Sequence, residues 1–384
     1  MQHDHVRIAF DGAEIPGFYE DLLTLEVELD EELAGMFRMT VKLLLHADGS
    51  WTYLDDDPFG LWHRVDIEAG LADDARPLLT GYITHLRPDF GAGLGSARLD
   101  IWGMDASVLM DRADRLVAWP DKRDSDIATE LFRAYELTPW VTDTAVVHGQ
   151  DVSTVIQRET DMRLLRRLAL RNGYECFVDG DTGHFHPPAV DAPPQPALAA
   201  YAREETTLNR FRLEINALTS ENVAMAQFDH ISGQLLESAV ESGSEPAYGA
   251  KTAEALLGPG VEPALTRVGQ TVTTGLEEMD ALCQGLFDQG QWFVTGEGEV
   301  AANAYGNVLK ARDPVTIKGL GETHSGVYYV THVTHRFGRD GYRQQVKVKR
   351  NALLPTGRED FSSGDGGLIA AAAAGVLVVE TGLG

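Results

Sequence analysis

The chain has 384 residues, 43% hydrophobic and 24% charged, the proportions of an ordinary globular protein with room for two or three domains. Its 32 basic residues stand against 59 acidic ones, a net charge of −27 that opposes direct binding to nucleic acid or to an anionic membrane and favours protein partners with basic or apolar faces. Two cysteines, Cys176 in a strand pattern and Cys283 in a helix pattern, make neither a disulfide framework nor a zinc ligand set, so both are expected as reduced core residues. The opening MQHDHVRIAF lacks the basic-then-apolar order of a secretory signal, and folding in the cytoplasm is expected.

The first hundred residues alternate with period two. Leu23, Leu25, Val27 and Leu29, then Phe37, Met39, Val41 and Leu43, then Val65, Ile67 and Ala69, and finally Ala97, Leu99 and Ile101 each mark one buried face of a strand. Turn-forming runs at Ala47-Asp48-Gly49, Asp55 to Pro58, Ala72-Asp73-Asp74 and the glycines Gly91, Gly93 and Gly95 separate them, which predicts five or six antiparallel strands. From Asp105 to about His186 the period becomes helical. Ile127, Leu131, Phe132 and Tyr135 share a face behind Asp124 or Ser125 as N-cap, and Leu164, Leu165 and Leu168 share another between Thr160 as N-cap and Gly173 as terminator.

The run APPQPA at 192–197 suits neither a sheet interior nor a helix and is the best linker. Leu208 to Ala239 reads as strands around a turn at Asp229 to Gly233, and 240–272 as a loop or mobile insertion. A helix follows from about Gly275 to Gln289, with Thr274 and Glu277 at capping-box spacing and Leu276, Met279, Leu282, Cys283, Leu286 and Phe287 as its buried stripe. Strands are expected near Phe293, Val315 to Ile317, Val327 to Phe337 and Tyr342 to Arg350, the last two joined at Arg339-Asp340-Gly341. After Pro355 a polar lead and the run LIAAAAAGVLVV at 368–379 read as a flexible tail, and twelve apolar residues are too few for a membrane helix.

Chemistry-bearing patterns are weak. His332 and His335 lie three apart in a strand pattern, which puts them on opposite faces and points to cross-strand pairing. His184 and His186 share a strand face, but no third metal ligand is identifiable. His3-Asp4-His5 reads as a solvated terminus. Asp179-Gly180-Asp181-Thr182-Gly183 opens like a calcium loop, yet Val190 stands where the bidentate carboxylate belongs, so a hairpin turn is expected. Glu159 with Asp161, and Glu277 with Glu278, are chance pairs among many acids; the first pair sits well at a helix start. Phosphate-loop, nucleophile-elbow and zinc-protease motifs are missing, so no catalytic, cofactor or metal residue is assigned and the chain is not expected to be an enzyme.

One stretch carries a resemblance. Glu159-Thr160-Asp161, the Leu/Arg helix ending at Asn172-Gly173, and the strand Tyr174 to Val178 resemble the late control D (tail hub) family of contractile phage tails, related to the hub portion of type VI secretion spike proteins. The strand Gly326 to His335 and Gly296-Glu297-Gly298 extend the resemblance over roughly Val6 to Leu354. It implies a β-rich α+β fold with a tube-like β-barrel at 1–104, an α/β middle domain at 105–191, and a second barrel at 192–355, followed by the tail 356–384. It also implies a homotrimeric baseplate hub made in the bacterial cytoplasm, with an inner tube protein, a spike protein and a LysM adaptor as partners. A type VI spike or a baseplate-associated cell-wall hydrolase are the alternatives.

Overall fold

The alternating residues of the first region form β1 (Val6–Phe10), β2 (Leu22–Asp30), β3 (Met36–Lys42), β4 (Arg64–Leu71), β5 (Asp74–Asp89) and β6 (Arg98–Asp105), with a short α1 (Phe18–Asp21) before β2. The structure, a computed structural model, describes residues 6–361 apart from 56–57, 72–73, 94, 151–152, 202–204, 219–221, 230, 270, 340, 358 and 360. His3, Asp4, His5 and the run 368–379 therefore lie outside the described residues. On β3, Phe37, Met39 and Val41 point inward and Met36 and Arg38 outward, the two-residue period that the sequence shows. Strand β5 lacks that signal because register shifts at Ile67/Glu68 and at Ile83/His85 change which face successive residues occupy.

The middle region holds α2 (Ser107–Met110), β7 (Arg115–Trp119), β8 (Lys122–Arg123), α3 (Asp124–Ala134), β9 (Thr138–Val141), β10 (Val147–His148), β11 (Val155–Glu159), α4 (Asp161–Asn172), β12 (Glu175–Asp179) and β13 (Thr182–His186). Thr160 caps α4 as expected: its Oγ1 accepts from Arg163 N at 3.3 Å, and Gly173 ends the helix in the left-handed region at φ 66°. At α3 the N-cap is Arg123, not Asp124 or Ser125. The Asp126 carboxylate accepts from Arg123 N at 3.0 Å, and Asp124 is the first helical residue.

The last region comprises β14 (Gln195–Ala199), β15 (Leu208–Ile215), β16 (Asn222–Asp229), β17 (Gln234–Val240), β18 (Lys251–Thr252), β19 (Leu265–Val268), α5 (Leu276–Gly290), β20 (Val294–Val300), α6 (Ala302–Tyr305), β21 (Pro314–Lys318), α7 (Gly321–His324), β22 (Gly326–Gly338), β23 (Gly341–Arg350) and β24 (Ala352–Leu353). Three expectations change here. Half of the expected linker is strand β14, which lies parallel to β21 with a register shift around Pro196 and has no second neighbour among the described residues, the setting in which proline is tolerated. The segment 240–272 is not simply an insertion: Tyr248 N donates to Asn351 Oδ1 at 2.8 Å, and β19 pairs in parallel with β16. The lead of the tail is tied to the body as far as Phe361, whose carbonyl accepts from Lys318 Nζ at 3.2 Å.

Strand pairing joins the two β regions. Strand β2 pairs antiparallel with β22, Leu25 opposite Phe337 through Asp30 opposite His332, so a single sheet of twelve strands runs β1-β4-β5-β6-β3-β2-β22-β23-β20-β15, with β21 and β14 attached at β22. Each region keeps its own apolar core, although Ala302, Val308, Phe337 and Tyr342 from the last region complete the first one. A further small sheet, β17-β16-β19, packs Val223 and Met225 under Met279, Cys283 and Phe287 of α5. The β-rich architecture expected from sequence is present; the joining of its two β regions into one sheet was not visible in it.

Candidate interaction sites

The residues singled out by sequence mostly take structural roles. His332 Nδ1 lies 3.0 Å from Asp30 Oδ2 across the β2–β22 seam, while His335 is fully buried with Nδ1 2.8 Å from Tyr342 Oη. Burial pushes the His335 pKa down to about 3. His184 and His186 do share a face, with ring nitrogens 3.1 Å apart, and among the described residues no group of three or more metal-ligating side chains forms. Asp179 to Gly183 is the β12–β13 hairpin turn, and Asp181 there receives both Nη atoms of Arg64 from β4 at 2.9 and 3.2 Å. Cys176 and Cys283 are free and buried.

The acidic pairs have partners that spacing could not show. Asp161, 1% exposed, accepts from Tyr135 Oη at 2.6 Å and from Gln157 Nε2 at 2.7 Å, and Arg115 Nε lies 3.0 Å away. On α5 the helix-start acceptor is Glu278, not Glu277: its Oε2 accepts from Thr274 N at 2.7 Å. Of the stripe on α5, Met279, Leu282, Cys283 and Phe287 are buried, whereas Leu276 is exposed. The other carboxylate oxygen of Glu278 accepts from Arg171 Nη1 at 3.0 Å, and Arg171 also donates from Nε to Asp124 Oδ2 at 2.6 Å.

That guanidinium ties the middle region to the last one where α4 meets α5. The helices approach through two glycines: a Cβ on Gly285 would lie 2.8 Å from Gly173 Cα. Gly285→Ala, which in an isolated helix would gain about 1 kcal/mol, is expected instead to destabilise by about 1–2 kcal/mol because backbone must move. An unchanged or raised melting temperature would refute the close approach.

Three regions meet around Glu175. Tyr329 Oη from β22 donates to Glu175 Oε1 at 2.7 Å, while Glu175 Oε2 is buried without a hydrogen-bond partner. Nearby, Arg312 Nε donates to Glu31 O at 3.4 Å, its Nη2 to Asp30 O, and its Cζ lies 3.8 Å from the Phe177 ring centroid. Lys349 Nζ bonds Glu31 Oε2 at 2.6 Å. Burial, resisted by the Tyr329 hydrogen bond and by the charges of Arg312 and Lys349, pushes the Glu175 pKa up to about 7.

A carboxyl that titrates near 7 when folded and near 4.5 when unfolded binds more protons in the native state across that interval, so its contribution to stability falls as pH rises from about 4.5 to about 7. Glu175→Gln keeps the acceptor for Tyr329 and removes the buried charge. It is expected to stabilise by about 1–3 kcal/mol near pH 8 and by far less near pH 5. Denaturant melts at both values check this, and an equal effect at the two would contradict it.

Two further surfaces face outward. A groove of about 680 Å³ is lined by Arg38, Arg98, Arg336, Arg339 and Arg343 with Glu26. Arg336 pairs with Glu26, Arg38 with Asp100 at 3.5 Å and Arg343 with Glu299 at 3.8 Å, so the groove carries a modest excess of positive charge on a strongly negative chain. Arg38 and Arg87 flank the Trp102 ring beside it, with Cζ 5.1 and 5.2 Å from the ring centroid. The β16–β17 hairpin exposes Phe228, Ile231 and Leu235. Summed charge had suggested basic or apolar partner faces only; the arginine groove suits an acidic one.

Comparison with known proteins places this arrangement. The family model described as the Alg8 N-terminal domain matches residues 5–338. The chain belongs to the Alg8 N-terminal domain family. Among curated proteins none matches it by sequence. Of solved structures, a tail protein from Neisseria meningitidis covers 91% of this chain and 97% of its own at a TM-score of 0.65 and 13% identity. The 43 kDa tail protein of prophage MuSo2 from Shewanella oneidensis covers 91% and 99% at 0.65 and 12%. An E. coli component of the type VI secretion system covers 91% and 79% at 0.54 and 11%. At such identities the likeness is one of fold. This Alg8 N-terminal domain family member thus has the fold of tail proteins; the family model itself does not confirm the late control D family that the sequence resembles.

Proposed function

We propose that the chain is a structural part of a phage-tail-like particle, and within it the hub that joins a six-fold inner tube to a three-fold spike. The observation that carries this reading is the end-to-end likeness in both directions to two tail proteins, 97% and 99% of whose lengths are matched. Two β-barrel domains per subunit, at 1–104 and 192–355, would let three copies offer six tube-like units, so tube subunits stack on a trimer without symmetry mismatch. The partners are then two further copies, an inner tube protein, a spike protein and baseplate proteins such as a LysM adaptor. Its role is mechanical, with no catalysis, cofactor, direct nucleic-acid contact or membrane anchor.

Tagging the chain and isolating particles from a cell that makes it tests the reading. The tag is expected at one end of the tube; complete particles lacking the chain would overturn it. A spike role in a type VI system is favoured by the likeness to the E. coli component. A cell-wall hydrolase would show turnover on peptidoglycan, and none is expected.

The tail supplies one further expectation. The run 368–379 is apolar and rich in alanine, so a covering surface is expected for it, and the spike trimer or the symmetry mates are the proposed cover. Deleting 357–384 is expected to leave a soluble, tube-competent chain that recruits spike poorly in pull-down; full spike occupancy after deletion would refute this.

A further inference from the structure

A cavity of about 230 Å³ opens where the middle sheet faces the segment Lys310 to Asp313. Its walls include Trp140 of β9, Phe177 of β12, His184 of β13, Asp105 of β6 and Glu175, with Arg312 across from them. We propose that this cleft is a receptor for a basic side chain, lysine or arginine, presented by a partner chain.

Three observations meet here. The first is the Glu175 carboxylate, on a residue that lines the cavity: Tyr329 takes Oε1, but Oε2 is buried without a donor, a costly state for a carboxylate oxygen and one that a cationic N–H reaching it would relieve. The second is the aromatic wall. Phe177 stacks on His184 at 4.3 Å between centroids and already holds the Arg312 Cζ 3.8 Å from its own centroid, while Trp140, 4.9 Å from His184 and 60% exposed, is the ring left open to an entering cation. The third is charge. Asp105, Glu175, Asp179 and Asp313 line the cavity against Lys310 and Arg312, and Arg312 spends donors on the carbonyls of Asp30 and Glu31. An anion would meet excess negative charge here, and a neutral apolar group would leave Oε2 unpaired.

The mouth indicates a macromolecular source. Trp140 is 60% exposed on strand β9, which pairs only with β13 among the described residues, so a chain laid along this edge can insert a side chain. The inference does not depend on the hub reading, because it concerns the isolated chain.

Titration calorimetry of the full chain with the blocked amino acids N-acetyl-lysine methylamide and N-acetyl-arginine methylamide tests it. N-acetyl-norleucine methylamide is the uncharged control and n-butylammonium the free-amine control. Saturable binding of the two cationic amides is expected, tightening several-fold from about pH 6 to about pH 8 as Glu175 ionises. Glu175→Gln and Trp140→Ala should each weaken it roughly tenfold or more while the fold persists by circular dichroism. Absence of saturable binding, which is what a cleft filled by water alone gives, would overturn the proposal. So would equal binding of norleucine amide, or unchanged affinity in Glu175→Gln. Butylammonium binding as tight as the amides would overturn the partner-chain source by making this a small-amine site.

Discussion

Replacing Leu168 by aspartate is expected to leave the chain insoluble or unassembled. Leu168 is 0% exposed on α4, one turn after Leu164, in a core shared with Phe132, Val178 and Phe185. The change removes about 2 kcal/mol of apolar burial and places a carboxylate in an apolar core, adding several more. The total is comparable to the roughly 5–15 kcal/mol that holds a domain folded. Leu168→Met, which keeps the volume, should cost less than about 1.5 kcal/mol and remain soluble. Soluble fraction and particle yield check both, and normal behaviour of the aspartate variant would show that the α4 stripe does not face a core.

The second large effect is expected at Arg171. Its side chain lies between Asp124 and Glu278, whose side chains are 4% and 7% exposed, and Arg171→Met leaves both carboxylates without their shared cation. Removing one member of a buried pair costs about 3–5 kcal/mol. The pH dependence identifies the cause. Burial raises the Asp124 pKa, but hydrogen bonds from His148 and Arg171 and the charge of Arg171 outweigh it and hold the group below its ordinary 3.8. A group depressed in the folded state contributes stability above its unfolded pKa and loses it as pH falls through the folded value. The gap between parent and Arg171→Met should therefore be wide at neutral pH and shrink as pH falls below 3.8. A gap independent of pH would mean that Arg171 acts by packing alone.

Local rules were legible in the sequence wherever the cause was local. Thr160 and Gly173 bracket α4 because capping and the left-handed terminator act within a few residues of the helix end. The faces of β3, β4 and β6 and of β2 from Leu25 followed from alternation, whereas a register shift between Leu22 and Thr24 buries Leu22 in place of the expected Leu23; His332 and His335 separated as strand geometry requires. What sequence missed is long-range or phase-shifted. Strand β5 hides behind two register shifts, and β2 finds β22 across some three hundred residues with no local mark of the pairing. Pro196 excludes a sheet interior, as read, but not an edge strand. The Asp124–Arg171–Glu278 link and the arginine groove are assembled from residues far apart in sequence, and net charge averaged the groove away.

The copy number of the chain in an assembled particle tests the hub reading most directly. Imaging of the baseplate, or light scattering of the oligomer released from it, is expected to give three copies between tube and spike, each filling two of six tube-like positions. A stable monomer in the assembled particle, or six copies in one ring, would contradict it.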